Sequence, residues 1–137
     1  MSVRSFFDTN ILVYTDDEDA PAKQERTIDL LAVHRRDGTG VISMQVLQEY
    51  FVAVTRKLHV EARTARRKVE LLAEFDVAIP DVPDVLAAID LHRLYGYSFW
   101  DCLILRSAKQ AGCRVVFSED LQVGREVDGL RIVNPFV

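Results

Sequence analysis

The chain has 137 residues, 49% of them hydrophobic and 28% charged, which excludes a disordered polymer and leaves room for a sizeable core. No apolar run approaches the length of a membrane span. Its 17 Lys and Arg against 21 Asp and Glu give a formal charge of −4, the wrong sign for a non-specific nucleic-acid binder unless some carboxylates hold a metal ion.

One domain over residues 1–137 is expected, with no repeat, low-complexity segment or linker. The start, Met1-Ser2-Val3-Arg4, lacks a signal-peptide apolar region and cleavage site. Cys102 and Cys113 form no CxxC pair and read as buried thiols of a reducing compartment. A cytoplasmic protein is the expectation.

Taken in order, Val3 to Phe7 predicts a first strand that breaks into the small polar residues Asp8-Thr9-Asn10. Ile11 to Tyr14 is a short apolar turn of helix or coil. The acidic run Asp16-Asp17-Glu18-Asp19 before Pro21 predicts a helix start, facing the positive end of the macrodipole, with metal binding as a second role. A helix follows from Ala22 to Arg36, with Ile28, Leu31 and Ala32 as its apolar face and Gly38 and Gly40 ending it.

Val41-Ile42 is a second strand, and Ser43 caps a helix from Met44 to Leu58 with Leu47, Tyr50, Phe51 and Val54 on one face. A second helical pattern runs from Glu61 to Phe75, and Asp76 to Pro80 is a third strand. Asp81 or Asp84 opens a helix ending at Gly96, its apolar residues Leu86, Ile89, Leu91 and Leu94. Ser98 caps a helix from Phe99 to Ala111, and Arg114 to Phe117 is a fourth strand. A loop passes Ser118, Glu119, Asp120 and Gly124 before a last strand, Leu130 to Val133. Alternating strands and helices predict an α/β fold around a central, mainly parallel sheet of four to five strands.

In such a sheet, strand ends and helix starts share one edge, where ligands collect. Asp8 and Asp120 follow strands at that edge; Asp101 sits in a first helical turn there. Glu49 lies in the second turn of its helix, within roughly 10 Å of the start. Topology alone thus draws Asp8, Glu49, Asp101 and Asp120 towards one rim. Carboxylates so gathered repel unless a cation joins them. An oxygen-only donor set suits Mg²⁺ or Mn²⁺, and metal-assisted phosphodiester hydrolysis is the matching chemistry. The absence of Cys/His ligand spacing argues against zinc.

Each acid has a plainer reading as well. Asp8 can cap the turn after it, and Glu49 can be a solvated helix residue. Asp101 can bond back to the Ser98 amide in a capping box. Asp120 can be an ordinary loop acid, or Glu119 can stand in its place. His34, His59 and His92 fall on separate helices and offer no catalytic pair. Cys102 has no adjacent base and reads as core. Arg56, Lys57, Arg63, Arg66, Arg67 and Lys68 either hold RNA phosphates or form a solvated surface paired with Glu61 and Glu70. Tyr50, Phe51 and Trp100 read as core aromatics.

Four stretches resemble the motifs of the PIN domain family, and within it the VapC-type toxins. They are Phe6-Phe7-Asp8-Thr9-Asn10-Ile11-Leu12, Ser43-Met44-Gln45-Val46-Leu47-Gln48-Glu49-Tyr50, Ser98-Phe99-Trp100-Asp101-Cys102-Leu103-Ile104 and Val116-Phe117-Ser118-Glu119-Asp120-Leu121. The resemblance implies a three-layer α/β/α domain and a Mg²⁺- or Mn²⁺-dependent endoribonuclease. It further implies an RNA substrate, a cognate antitoxin that holds the enzyme inactive, and a homodimer. Carried onto these positions, Asp8, Glu49, Asp101 and Asp120 bind metal, while Thr9, Asn10 and Ser118 orient them. Asp8 and Asp101 are expected on the ion directly, Asp120 directly or through water, and Glu49 through water or as the base. The chain departs from many relatives at Leu121-Gln122-Val123, which carry no further acid. Two other readings compete. A PIN fold without turnover would serve as a binding module. A phospho-receiver domain would need an acidic pair after strand one and an acceptor Asp after strand three, where Ile79-Pro80 stand instead.

Overall fold

The computed structural model describes residues 2–137. A central strand, β1 (Ser5–Phe7), is flanked by β2 (Gly40–Ser43) and β4 (Val115–Phe117), both parallel to it. The six-stranded sheet has the order β3-β2-β1-β4-β6-β5, with β3 at Asp76–Ala78, β5 at Glu126–Val127 and β6 at Leu130–Val133. All pairings are parallel except β5 with β6. Every residue of β1 and β2 is buried, as expected where helices cover both faces of a parallel sheet.

The helices are α1 (Thr9–Val13), α2 (Pro21–Asp37), α3 (Met44–Lys57), α4 (Ala62–Leu72), α5 (Val82–Tyr95) and α6 (Phe99–Gln110). The path from β1 through β2 to β3 moves one way across the sheet, and the return to β4 moves the other way. Right-handed crossovers therefore place α2, α3 and α4 on one face and α5 and α6 on the other. The reversal opens a crevice at the carboxyl ends of β1 and β4.

The sheet is larger than the expected four to five strands because β5 was not foreseen. Its signal is Asp128-Gly129 between Val127 and Leu130. Both turn residues have positive φ, 52° and 82°, as a two-residue hairpin of the I′ type requires. Val127 and Leu130 are buried, so the hairpin closes the sheet edge over the core.

The helix caps follow local chemistry. The Ser43 hydroxyl accepts from the Val46 amide at 3.3 Å, and Ser98 accepts from Asp101 at 3.1 Å. Asp81 and Asp84 cap α5 reciprocally, each carboxylate accepting the other's amide at 3.0 Å.

Several faces differ from expectation. The buried side of α2 is Thr27, Leu30 and His34, while Ile28 is 49% exposed. His34 tolerates burial because its Nδ1 meets the Thr39 hydroxyl at 2.8 Å and its ring packs edge-on against Phe7 and Phe117. Leu86 and Leu94 of α5 are exposed, as are Phe51 and Trp100, the last at 61%. These side chains are surface, not core.

Gly40 opens β2 rather than ending α2. The Phe75 ring lies where a Cβ would stand, with Cδ1 2.4 Å from that position, so only glycine fits without displacing the ring.

Helix α2 starts at Pro21, where the acidic run and the proline place it, but no acid caps it: Ala20 precedes the helix with no side-chain cap bond, and no acid lies in its first turn. Asp16, at the end of the 3₁₀ turn Tyr14–Asp16, is turned inwards. It accepts from the Tyr50 hydroxyl at 2.5 Å and pairs with Lys68, tying the turn to α3 and α4. Asp16→Ala leaves the fully buried Tyr50 hydroxyl without its acceptor and Lys68 without its counter-charge. It should lower the unfolding free energy by about 3 kcal/mol in urea titrations.

Candidate active site

Asp8 follows β1 directly, with extended backbone (φ −72°, ψ 156°) at the start of α1. One carboxylate oxygen accepts the Thr9 amide at 2.7 Å, and the other accepts the Ser118 hydroxyl at 2.8 Å. Ser118 leaves β4 and is fully buried. Its oxygen in turn accepts the amides of Asp120 and Leu121 at 3.3 and 3.0 Å, which folds the loop after β4 onto Asp8.

Asn10 bridges the same groups. Its Nδ2 lies 3.4 Å from Asp8 Oδ2, 3.4 Å from Ser118 Oγ and 3.3 Å from Asp120 Oδ2, while its Oδ1 accepts the Glu119 amide at 3.2 Å. The Thr9 hydroxyl donates to Glu49 Oε1 at 2.9 Å and so joins α3 to the end of β1. Thr9, Asn10 and Ser118 thus each contact at least one of the four acids.

Asp101 enters from the first turn of α6. The expected reciprocal bond from the Ser98 amide is missing. Only half of the capping box forms, and among the described residues the Asp101 carboxylate accepts no hydrogen bond. That carboxylate lines an open cleft of about 500 Å³ together with Asp8, Glu49 and Asp120.

Burial pushes the Asp8 carboxyl up from its ordinary 3.8 to about 6, against the Ser118 and Thr9 hydrogen bonds. The negative charges of Glu49 and Asp101 push in the same direction as burial.

The four acids therefore converge on one cleft. Among the described residues, however, no three His, Cys, Asp or Glu side chains are assembled as a ready metal cage. The donor chemistry still fits a hard divalent cation. All four donors are carboxylates, Asp101 is uncommitted, and Asp8 is held in a setting that a nearby positive charge would relieve.

Glu119 lines the cleft beside Asp120, but its carboxylate is already engaged. Its carboxylate receives the Tyr14 hydroxyl at 2.6 Å and Lys23 Nζ at 2.5 Å. Burial opposes its ionisation, but these two partners hold it below the ordinary carboxylate range. No local pattern marks this trio, because Tyr14, Lys23 and Glu119 meet only through the fold. Asp17 and Lys57 also line the cleft; the sequence offered metal binding as a second role for the run that holds Asp17, and RNA phosphates as one of two roles for Lys57.

Fold and crevice together define a doubly wound α/β protein with an acidic cleft at the carboxyl ends of its central strands. The chain belongs to the PIN domain family, which it matches over residues 5–128.

Among solved structures, it is similar to the Mycobacterium tuberculosis toxin VapC20, described as cleaving the sarcin–ricin loop. The TM-score is 0.70 at 18% identity, covering 86% of this chain and 91% of that one. It is also similar to the DNA-bound VapBC complex of Salmonella typhimurium, with TM-score 0.70 at 18% identity over 96% and 97% of the two chains. A Klebsiella pneumoniae toxin–antitoxin complex gives TM-score 0.68 at 19% identity over 96% and 97%. At these identities the likeness is one of fold. No curated protein sequence matches the chain. Among the described residues, no helix is long and apolar enough to cross a membrane.

Proposed function

We propose that this chain, as a single domain over residues 1–137, is a Mg²⁺- or Mn²⁺-dependent endoribonuclease. In this reading it is the toxin of a type II toxin–antitoxin pair, cytoplasmic and homodimeric. The observation that carries the reading is the convergence of Asp8, Glu49, Asp101 and Asp120 on one cleft at the switch point of the sheet. The toxin and toxin–antitoxin structures that share the fold support it. The exposed apolar side chains of α5, Leu86 and Leu94 among them, suit contact with a second copy.

In this reading Asp8 and Asp101 would hold the ion directly, and Asp120 directly or through water. A bound divalent ion supplies charge compensation at the phosphoryl oxygens and lowers the pKa of nearby water. The chain supplies positioning. The Ser118 hydroxyl and Thr9 amide fix Asp8, and Asn10 spans Asp8 and Asp120. The Thr9 hydroxyl holds one oxygen of Glu49, leaving the other to orient the attacking water or take its proton. In-line attack of that water on an RNA phosphate would break the bond from phosphorus to the 3′-oxygen, which leaves and takes up a proton, giving the 5′-phosphate and 3′-hydroxyl ends that the family resemblance implies.

The test is incubation of purified protein with total cellular RNA and Mg²⁺ or Mn²⁺. Discrete cleavage that chelation with EDTA abolishes is the expected result; undegraded RNA with either ion would count against the proposal. A paired comparison separates the two acids after β4. Asp120→Asn should cost about a hundredfold or more in kcat/KM, whereas Glu119→Gln, which keeps one acceptor oxygen for Lys23 and offers its NH2 to the Tyr14 hydroxyl oxygen, should stay within about threefold of wild type. The reverse ranking would assign the role to Glu119.

A further inference from the structure

The cleft presents an obstacle to the substrate proposed for it. Asp8, Asp17, Glu49, Asp101, Glu119 and Asp120 line it, and among the described residues Lys57 is the one base that does. A polyanion must approach along a route where positive charge offsets these acids.

The structure sorts the bases of α3 and α4 into two groups. Arg66 and Arg67 share Glu70, at 2.5 and 3.0 Å, and Lys68 pairs with the inward-turned Asp16. Among the described residues, Arg56, Lys57 and Arg63 form no ion pair.

Two of these unpaired bases are exposed and stand at the cleft. Lys57 lines it, and Arg56 and Lys57 share with Glu49 and Ala53 an adjoining depression of about 430 Å³. Glu49, Ala53 and Lys57 recur at intervals of four along α3 and so form one stripe. Lys57 stands about 12 Å beyond Glu49 along the helix axis, a span of a few nucleotides.

We infer that Arg56 and Lys57 hold backbone phosphates of the RNA strand as it leaves the acid cleft along α3. The inference rests on the ribonuclease reading and adds the strand's path to it. Contacts of this kind position the chain without reading its sequence. They act by releasing counterions, so their signature is salt dependence. Bases in the last turn of a helix also suit its macrodipole. That role alone would change the melting temperature and leave RNA affinity untouched.

The experiment uses full-length Asp8→Asn protein, so that bound RNA is not cut, and a fluorescein-labelled oligouridylate. Binding is followed by anisotropy across a salt series. Adding Arg56→Gln and Lys57→Gln should weaken binding about tenfold or more at low salt. It should also reduce the slope of log K against log salt by about 1.4, the value for two phosphates on a single strand. The Arg66→Gln, Arg67→Gln pair serves as control and should change neither quantity.

Unchanged affinity and slope in the first pair, with wild type still cutting RNA, would overturn the inference and leave the ribonuclease reading standing. If wild type neither cuts nor binds RNA, both fall. Retained RNA affinity with lost capture of the antitoxin would assign the two bases to a protein interface and refute the inference.

Discussion

Asp8→Asn should silence RNA cleavage and, in the absence of divalent ions, make the protein more stable. The two effects share one cause. Asp8 is 8% exposed and lies near the charges of Glu49 and Asp101, so its carboxyl is pushed from 3.8 to about 6. A carboxyl with a raised folded-state pKa binds its proton more tightly in the folded than in the unfolded chain. Its contribution is fully present below about pH 4 and is lost as pH rises through about 6. At pH 7.5 the ionised group therefore destabilises the metal-free fold, by about 3 kcal/mol at most for a shift of this size.

Asparagine carries no charge and keeps an oxygen to accept the Thr9 amide, while its NH2 takes the place of the second oxygen and donates to the Ser118 hydroxyl oxygen. Its melting temperature at pH 7.5 should exceed that of metal-free wild type by several degrees. The gap should close as the pH is lowered towards 4. Cleavage should fall at least about a thousandfold, since a ligand charge worth several kcal/mol in the transition state is removed. A variant that is both active and no more stable would show that Asp8 is an ordinary helix cap.

Asp101→Asn should lose as much activity with a different stability signature. The Asp101 carboxylate accepts no hydrogen bond among the described residues, and the cap at Ser98 uses its backbone amide, which the substitution keeps. Metal-free stability should therefore stay within about 0.5 kcal/mol of wild type. What should disappear is the response to metal. Millimolar Mg²⁺ or Mn²⁺ should raise the melting temperature of wild type by mass action and leave the variant unmoved. Cleavage should drop at least about a thousandfold. An Asp101→Asn protein that is stabilised by Mg²⁺ like wild type would remove Asp101 from the donor set.

How much of this was legible in the sequence depends on the range of the interactions involved. The caps at Ser43, Asp81 and Ser98 were readable because an N-cap bond spans three residues. Strand ends and helix starts located Asp8, Glu49, Asp101 and Asp120, since parallel topology brings such positions to one edge whatever the side-chain details. The buried side of α2 escaped notice because Thr27 and His34 are polar, and the Thr39 hydroxyl that lets His34 be buried follows the helix in β2's approach. The helix start after the acidic run was readable at Pro21, but the inward role of Asp16 was not, because its partners, Tyr50 and Lys68, lie on α3 and α4. The apolar residues of α5 satisfied a helical pattern, yet among the described residues no element covers Leu86 or Leu94. Asp128-Gly129 was a local signal that could have been used, and it would have supplied the sixth strand.

The central claim is that carboxylates from β1, α3, α6 and the loop after β4 take up one divalent ion between them. Anomalous diffraction from crystals soaked in Mn²⁺ tests it most directly. A peak bonded to Asp8 and Asp101, with Asp120 and Glu49 in direct or water-mediated contact, is the result expected. A cleft without Mn²⁺ at saturating concentration, or an ion bound on another face, would contradict it.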